Sequence, residues 1–217
     1  MEVEIKLNVK AAVEGGPLGF FTRLTSVNQL GAYPLGPIKQ HEIRDLYYDT
    51  ADGILAKNGA GFRSRWQDGK ELITLKRNRV QDGSLVTRDE YEEPLTPERA
   101  EWVLSHIKDL IGEGPHPAVA LWEGKPCGNL LPVLRVDSAR LTRAVGDVAT
   151  LTMDIIRYPG IATNAYFDIE IEAKEGTGTE AALRDIEADI HRLARGYVAP
   201  AGESKLERGL RLKGKAN

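Results

Sequence analysis

The sequence is poor in cysteine and has no long apolar run, and each absence excludes a class of protein. Cys127 is the only cysteine, so the chain cannot form an internal disulfide or build a zinc site from several cysteines. No segment approaches the roughly 20 apolar residues of a membrane-spanning helix or the apolar core of a signal peptide. We therefore expect a cytoplasmic protein with no membrane partner.

The sequence also lacks an excess of charge of one sign. It contains 29 Lys and Arg residues against 32 Asp and Glu residues, a formal net charge of -3. This balance does not favour nucleic-acid binding, so any site for an anion must be built locally. Because 41% of the 217 residues are apolar, there is enough material for a substantial core, and we predict one domain over residues 1–217.

Two further signals of ligand binding are missing. The glycine-rich segment 15–19 is not followed by the Lys-Ser/Thr of a phosphate-binding P-loop, and we predict that it forms a loop. The histidines lack the spacing of a metal cluster, so we assign no chemistry to any of them. They are His41, His106, His116 and His191.

The dominant pattern in the sequence is alternation of apolar and polar residues with a period of two, which predicts β-strands. Asp68-Gly69 and Asp82-Gly83 provide turn chemistry between strands, which indicates hairpins and antiparallel neighbours. The eight predicted strands cover residues 2–7, 38–48, 60–66, 71–76, 85–93, 134–143, 148–156 and 165–174.

Two helices are predicted on the surface of this β-structure. Thr96 and Pro97 have the residue types of a helix N-cap and first turn, and a second helix is expected over residues 180–195. Segment 112–132 contains four prolines and four glycines and predicts an irregular connection, or alternatively a domain boundary. We favour one antiparallel barrel with helices packed outside, because charged strand faces on both sides of this segment resemble halves of one site.

Pairs of glutamates separated by one residue recur on the polar faces of three strands. Alternation puts both members of a pair on one face, where like charges repel each other. Mg²⁺ or Mn²⁺ would relieve this repulsion, because both ions prefer oxygen ligands. The candidate metal ligands, for about two ions, are Glu2, Glu4, Glu90, Glu92, Asp154, Glu170 and Glu172.

Basic residues on the strands complement these acids. Arginine offers a planar fork of donors to phosphate oxygens, and lysine offers a mobile point charge. The alternative is that these faces simply meet water, where ion pairs stabilise a protein by at most about 1 kcal/mol. The candidate phosphate-binding residues are Lys6, Arg63, Arg65, Lys76, Arg88, Arg140 and Lys205, and Arg143 is grouped with them.

In their order along the chain, these motifs resemble the CYTH, or triphosphate tunnel metalloenzyme, superfamily. Segment 15–37 departs from that pattern, because it is rich in glycine and proline where a helix is common, and segment 112–129 has no feature that can be aligned. The matching motifs are Glu2-x-Glu4-x-Lys6, Tyr47-Tyr48-Asp49-Thr50, Phe62-Arg63-Ser64-Arg65, Thr74-Leu75-Lys76, Arg88-x-Glu90-x-Glu92, Ser138-Ala139-Arg140, Asp154, 167–172 and 204–209.

The resemblance implies a closed eight-stranded antiparallel barrel whose interior forms a tunnel. In that tunnel the basic residues would bind a small-molecule triphosphate and the glutamates would bind Mg²⁺ or Mn²⁺. Our hypothesis is metal-dependent hydrolysis, in which one ion polarises phosphate oxygens and a second ion or a glutamate activates water. Glu4, Lys6 and Glu172 are the candidate catalytic residues.

Other functions stay open at this point. An adenylate cyclase is disfavoured, because the cyclase branch carries a His-Phe element upstream of the first glutamates and only Met1 precedes Glu2 here. Inorganic triphosphate and thiamine triphosphate are both candidate substrates, and Trp66 is a candidate stacking group for an organic one. A non-catalytic module that binds polyphosphate or nucleotide is a further alternative. The sequence makes no prediction of oligomeric state.

Overall fold

A computed structural model describes residues 1–112, 121 and 124–216 of the chain. Part of the predicted connection over 112–132, including His116, therefore lies outside the described residues. The strands are β1 (Glu2–Val9), β2 (Gln29–Leu30), β3 (Tyr33–Pro34), β4 (Lys39–Asp49), β5 (Gly61–Gln67), β6 (Lys70–Asp82), β7 (Leu85–Pro94), β8 (Leu131–Val145), β9 (Ala149–Arg157), β10 (Tyr166–Ala173) and β11 (Val198–Pro200). The helices are α1 (Gly16–Ser26), α2 (Ile54–Lys57), α3 (Pro97–Ser105), α4 (Lys108–Ile111), α5 (Glu180–Leu193) and α6 (Lys205–Ala216).

Eight of the strands form a closed antiparallel barrel in the order β10-β9-β8-β4-β5-β6-β7-β1, and β1 returns to pair with β10. Closure depends on β1, which pairs with β7 from Glu2↔Arg88 and with β10 from Glu4↔Glu172. The short strand β11 adds to the far end of β1. All eight predicted strands are members of this barrel, so the predicted fold is confirmed.

The main hydrophobic cores lie outside the barrel wall. Ile5 and Leu7 point outward from β1 and pack with Phe20 of α1 and Leu183 of α5, while a second cluster places α3 against the outer face of β5 and β6. Burial of each such side chain contributes roughly 1.5–3 kcal/mol. Because the apolar faces of β1, β5 and β6 pack outside the barrel, their charged faces are left to line the interior.

Helix α1 corrects the predicted loop over residues 15–19. The helix begins at Gly16 with Pro17 in its first turn, where proline is tolerated because the first amide groups have no partner within the helix. Phe20, Phe21 and Leu24 are buried along one face. This apolar stripe outweighs the glycine and proline content that suggested a loop.

Helix α6 is an element that the sequence did not predict. Its residue Leu206 packs with inward-facing apolar residues of the barrel, including Tyr47, Leu134 and Ile156, so the helix lies over one end of the barrel interior. A capping box begins α6: the Ser204 amide donates to Glu207 Oε2 at 2.6 Å, and the Glu207 amide donates to Ser204 Oγ at 3.2 Å. Among the described helices, none combines the length and hydropathy needed to cross a membrane.

Candidate active site

A cavity of about 1010 Å³ occupies the barrel interior. Glu4 and Asp154 are fully buried in its wall: Glu4 lies between the lining residues Glu2 and Lys6 on the inward face of β1, and Asp154 is the cross-strand neighbour of the lining residue Arg140. The sequence-predicted site residues that line the cavity are Glu2, Lys6, Arg63, Arg65, Lys76, Arg88, Glu90, Glu92, Arg140, Glu170, Glu172 and Lys205. The structure therefore brings together every candidate metal ligand and every candidate phosphate-binding residue except Arg143.

Arg143 and Trp66 lie elsewhere. Arg143 lies three residues after Arg140 on β8 and therefore on the opposite, outward face of the strand. Its guanidinium donates to the carbonyl oxygens of Leu24, Thr25 and Val27 at the end of α1. Trp66 is on the outer face of β5, opposite Arg65, and its side chain does not line the cavity. Arg143 thus anchors a helix, and Trp66 is not placed to stack on a bound substrate.

The glutamate pairs form an acidic wall on three adjacent strands, β7, β1 and β10. Cross-strand register places Glu4 beside Glu172, and Glu170 beside Lys6. The acidic wall is defined here as Glu2, Glu4, Glu90, Glu92, Glu170 and Glu172. The alternation seen in the sequence is what directs both members of each pair inward.

Basic side chains hold part of the acidic wall in place. Arg88 Nε lies 2.5 Å from Glu2 Oε2, and Arg88 Nη2 lies 2.6 Å from Glu4 Oε1. Lys76 Nζ lies 3.0 Å from both Glu2 Oε1 and Glu90 Oε1. Although burial favours the neutral acid, Lys76 and Arg88 hold the pKa of Glu2 well below its usual range.

Two carboxylates of the acidic wall are not fully compensated. Burial raises the pKa of Glu90, and the nearby Glu2 charge adds to the effect. The Glu172 side chain is open to solvent, yet partial desolvation in the cavity raises its pKa to about 7, with further contributions from Glu2, Glu90 and Glu4. Within the described residues, no lysine or arginine forms an ion pair with Glu172. The negative charge of the acidic wall is therefore not fully compensated by the basic side chains around it.

A hard divalent cation would compensate this charge. The donors are all carboxylate oxygens, the set that Mg²⁺ and Mn²⁺ prefer, and Glu2, Glu4, Glu90 and Glu172 face one cavity on adjacent strands. Over the described ranges, no three His, Cys, Asp or Glu side chains already stand close enough to form a ready metal cage. The residues fit a metal by charge and ligand type, and side-chain rearrangement would be needed to complete its coordination.

The basic side of the cavity depends on Asp45, a residue that the sequence interpretation missed. Arg65 donates from Nε to Asp45 Oδ1 at 2.7 Å and from Nη2 to Oδ2 at 3.0 Å, and Arg63 Nη1 donates to Oδ2 at 3.3 Å. Asp45 is 1% exposed. Despite that burial, the two arginines hold its pKa well below its usual range. The alternation of residues along β4 could have predicted its position, since Asp45 shares one face of the strand with Ile43 and Tyr47.

A second buried acid positions two more cations. Asp154 accepts from Arg140 Nε at 2.8 Å, from Arg140 Nη2 at 2.7 Å and from Lys205 Nζ at 2.6 Å. Lys205 Nζ also lies 3.3 Å from Glu170 Oε1. Burial opposes ionisation of Asp154, but Arg140 and Lys205 lower its pKa. In this arrangement Asp154 orients Arg140 and Lys205, two candidate phosphate-binding residues, and metal ligation by Asp154 stays a prediction.

Arg79 is a further cavity residue that simple alternation could not predict. The register of β6 against β7 shifts between Arg77 and Val80, and Asn78 adopts a φ of 57°. This bulge reverses the alternation of inward and outward residues in β6. As a result, Lys76 and Arg79 both line the cavity although they are three residues apart. Arg79 Nη1 lies 3.0 Å from Glu207 Oε2 on α6.

Comparison with known proteins gives a consistent result. The model of the CYTH domain family matches residues 1–209, and no curated protein sequence matches the chain. A Hippeastrum protein, described as a candidate adenylyl cyclase with a dominant triphosphatase activity, is 18% identical, with a TM-score of 0.72 over 97% of this chain and 96% of the other.

Two other solved structures share the fold at lower similarity. A candidate adenylate cyclase from Bacillus halodurans is 20% identical, with a TM-score of 0.57 over 95% of this chain and 97% of the other. The Mimivirus capping enzyme triphosphatase is 8% identical, with a TM-score of 0.53 over 89% of each chain. At these identities the likeness establishes the fold alone.

Proposed function

This chain belongs to the CYTH domain family, and from that premise we propose that it hydrolyses inorganic triphosphate with the help of Mg²⁺ or Mn²⁺. The observation that carries the proposal is an acidic wall and a set of preoriented arginines and lysines that share one cavity. Fold stability alone does not account for either set, because a buried ion pair is often no more stabilising than apolar side chains of similar volume. A highly anionic chain with divalent cations satisfies both sets at once.

The phosphate chain would bind to the cations that buried acids already orient. Asp45 holds Arg63 and Arg65, and Asp154 holds Arg140 and Lys205. Fixed guanidinium groups lose little freedom on binding, and they stabilise charge that develops on the leaving phosphate. Lys6 lies 3.0 Å from Glu170, at the boundary between these cations and the acidic wall.

The acidic wall would hold the metal, chiefly through Glu2, Glu4 and Glu90. A bound Mg²⁺ or Mn²⁺ supplies Lewis acidity at phosphate oxygens and partial neutralisation of the substrate. Arg88 already restrains Glu2 and Glu4, so it would keep these carboxylates aligned. Glu92 accepts a hydrogen bond from Thr74 Oγ1 at 2.9 Å and takes a supporting place.

Glu172 is suited to accept the proton of the attacking water. A general base works best when its pKa is raised toward the working pH, and in the metal-free protein desolvation and the neighbouring carboxylates raise the pKa of Glu172 to about 7. Water attacks the terminal phosphorus, the bond from that phosphorus to its bridging oxygen breaks, and orthophosphate and pyrophosphate are released. The basic residues receive the charge on the departing pyrophosphate.

The cavity lining favours inorganic triphosphate over a nucleotide or thiamine triphosphate. Among the described lining residues the one aromatic side chain is Tyr47, which is 6% exposed and accepts a hydrogen bond from Arg63 Nη1 at 3.3 Å. A purine or thiazolium ring would therefore find no free aromatic surface on which to stack. The remaining lining side chains are charged, polar or aliphatic.

A substrate panel tests the proposal. Purified protein is incubated with inorganic triphosphate, ATP or thiamine triphosphate, in Mg²⁺, Mn²⁺ or EDTA, and phosphate and cyclic AMP are both measured. We expect phosphate release that is fastest from inorganic triphosphate and that is lost in EDTA. Cyclic AMP from ATP would identify a cyclase, and tight binding without any product would identify a non-catalytic binding module.

A further inference from the structure

The ammonium group of Lys76 bridges two glutamates of the acidic wall. Lys76 Nζ donates to Glu2 Oε1 at 3.0 Å and to Glu2 Oε2 at 3.1 Å, and it lies 3.0 Å from Glu90 Oε1. Glu90 is the cross-strand neighbour of Lys76 on β7, and Glu2 lies on the next strand, β1. One lysine charge thus holds together two carboxylates that would otherwise repel each other.

Lys76 is more exposed than the other lysines that bridge carboxylates in the cavity, so it can separate from its partners more easily. The side chains of Lys6 and Lys205 are 10% and 8% exposed, whereas that of Lys76 is 20% exposed. Lys205 also compensates Asp154, which is fully buried and needs a positive charge beside it. Lys76 can withdraw from its partners into the open cavity, where water or an anion can receive its ammonium group.

We propose that Lys76 is a stand-in cation, which a divalent metal displaces from Glu2 and Glu90 and which then turns to the phosphate chain. The inference rests on the proposed function, because it concerns the same metal and the same substrate. Arg88 would stay on Glu2 during the exchange, since its contact with Glu2 is shorter and its side chain is less exposed. Lys76 therefore links the acidic wall to phosphate binding.

Coupling between metal and triphosphate follows from this exchange. A metal that takes Glu2 and Glu90 frees one positive charge for the phosphate chain, and a phosphate that attracts Lys76 frees two carboxylates for the metal. Thermodynamic linkage requires the two effects to be equal in size. Without phosphate, Lys76 competes with the metal and weakens its binding.

The test is Mn²⁺ binding to the full chain with no phosphate present, measured by calorimetry and by electron paramagnetic resonance. Lys76→Met keeps the aliphatic length and removes the competing charge, and we expect it to bind Mn²⁺ about tenfold more tightly than the wild type, within the usual range of coupling. Lys76→Arg keeps the charge and is expected to retain the wild-type affinity. Circular dichroism confirms that each variant is folded.

Lys174→Met is the matched control, because Lys174 lines the same cavity but donates to the Gly146 carbonyl at 3.0 Å. Equal tightening in Lys174→Met would attribute the effect to net charge and overturn the inference, as would unchanged or weaker Mn²⁺ binding in Lys76→Met. If neither the wild type nor any variant binds Mn²⁺, the metal-dependent function itself fails. Wild-type binding with no effect at Lys76 removes the stand-in role alone.

Discussion

Asp45 shows how a single buried acid can prepare a binding site. Its carboxylate accepts hydrogen bonds from both Arg63 and Arg65, so the two guanidinium groups are held before any ligand arrives. Preorganised donors of this kind need no rearrangement when charge develops on a substrate. The same carboxylate also makes the protein dependent on a buried ion pair for its stability.

Substitution of Asp45 tests that dependence. Asp45→Asn leaves two buried arginines without their counter-charge, and we expect the free energy of unfolding in urea at pH 7 to fall by about 3 kcal/mol. The pKa of Asp45 is lowered in the folded state, so its contribution is present above pH 4 and is lost as the pH falls further. The difference between wild type and variant should shrink accordingly.

The control is Asp137→Asn. Arg135 contacts Asp137 in the same two-bonded geometry, at 2.9 and 2.8 Å, but the pair is exposed. Its loss should cost less than about 1 kcal/mol. Equal losses for the two variants would mean that Asp45 has no special place in the site.

Glu172 makes a second prediction at the scale of the residue. In the metal-free protein its pKa is raised to about 7, so the folded state disfavours the ionised form, and stability declines as the pH rises from about 4.5 to 7. Glu172→Gln lacks this decline. We expect the variant to be more stable than the wild type at pH 8 by roughly 1 kcal/mol, since solvent screens this exposed group, and nearly equal to it at pH 4.

Thermal melts in EDTA at both pH values measure the effect. Added Mn²⁺ should stabilise the wild type at pH 8, because a divalent cation then compensates the ionised Glu172 carboxylate. The difference in stability between Glu172→Gln and the wild type should therefore become smaller or change sign. A variant that is less stable than the wild type at pH 8 without metal would contradict the crowding of carboxylates described here.

At the scale of the element, helix α6 packs closely against Leu134 and Tyr158 at Gly209. A Cβ atom at this position would lie 2.3 Å from Leu134 Cδ2 and 2.8 Å from Tyr158 Cε1. The helix also carries Lys205, which contacts Asp154 in the cavity. The position of α6 over the barrel end therefore sets the position of Lys205, one of the proposed phosphate-binding residues.

Gly209→Ala tests this seating. We expect the free energy of unfolding to fall by about 1–3 kcal/mol from overpacking, together with weaker triphosphate binding as Lys205 moves. Gly214→Ala, in the same helix with nothing within 4 Å of the added atom, should instead stabilise the protein by about 0.5 kcal/mol. A stable Gly209→Ala protein with unchanged binding would show that α6 does not position Lys205.

How much of each element could be predicted depends on how local its signal is. Alternation is local, and it predicted all eight barrel strands. The Ser204 and Glu207 capping box is also a local signal, so α6 could have been proposed, whereas α1 was hidden by Gly16 and Pro17 at its start. Arg79 needed the bulge in β6, which depends on pairing with β7 and cannot be seen in one strand.

At the scale of the whole molecule, the residues of the candidate site could be predicted from the sequence, but the contacts between them could not. Inward and outward faces follow from alternation, so the sequence predicted which charges would converge. The partner of each charge depends on strand register, which joins residues as distant as Lys76 and Glu2. The contacts of Asp45 with Arg63 and Arg65 and the bridging position of Lys76 therefore became visible only in the closed barrel.

The central claim is that the acidic wall and the phosphate-binding cations act together on one triphosphate. Its most direct test is Mn²⁺-dependent phosphate release by Glu4→Gln, compared with wild type and with Glu71→Gln, whose side chain is exposed on the outside of β6. We expect Glu4→Gln to remain folded and to lose activity by about 100-fold, while Glu71→Gln keeps it. A folded Glu4→Gln protein with full metal-dependent activity would contradict the account.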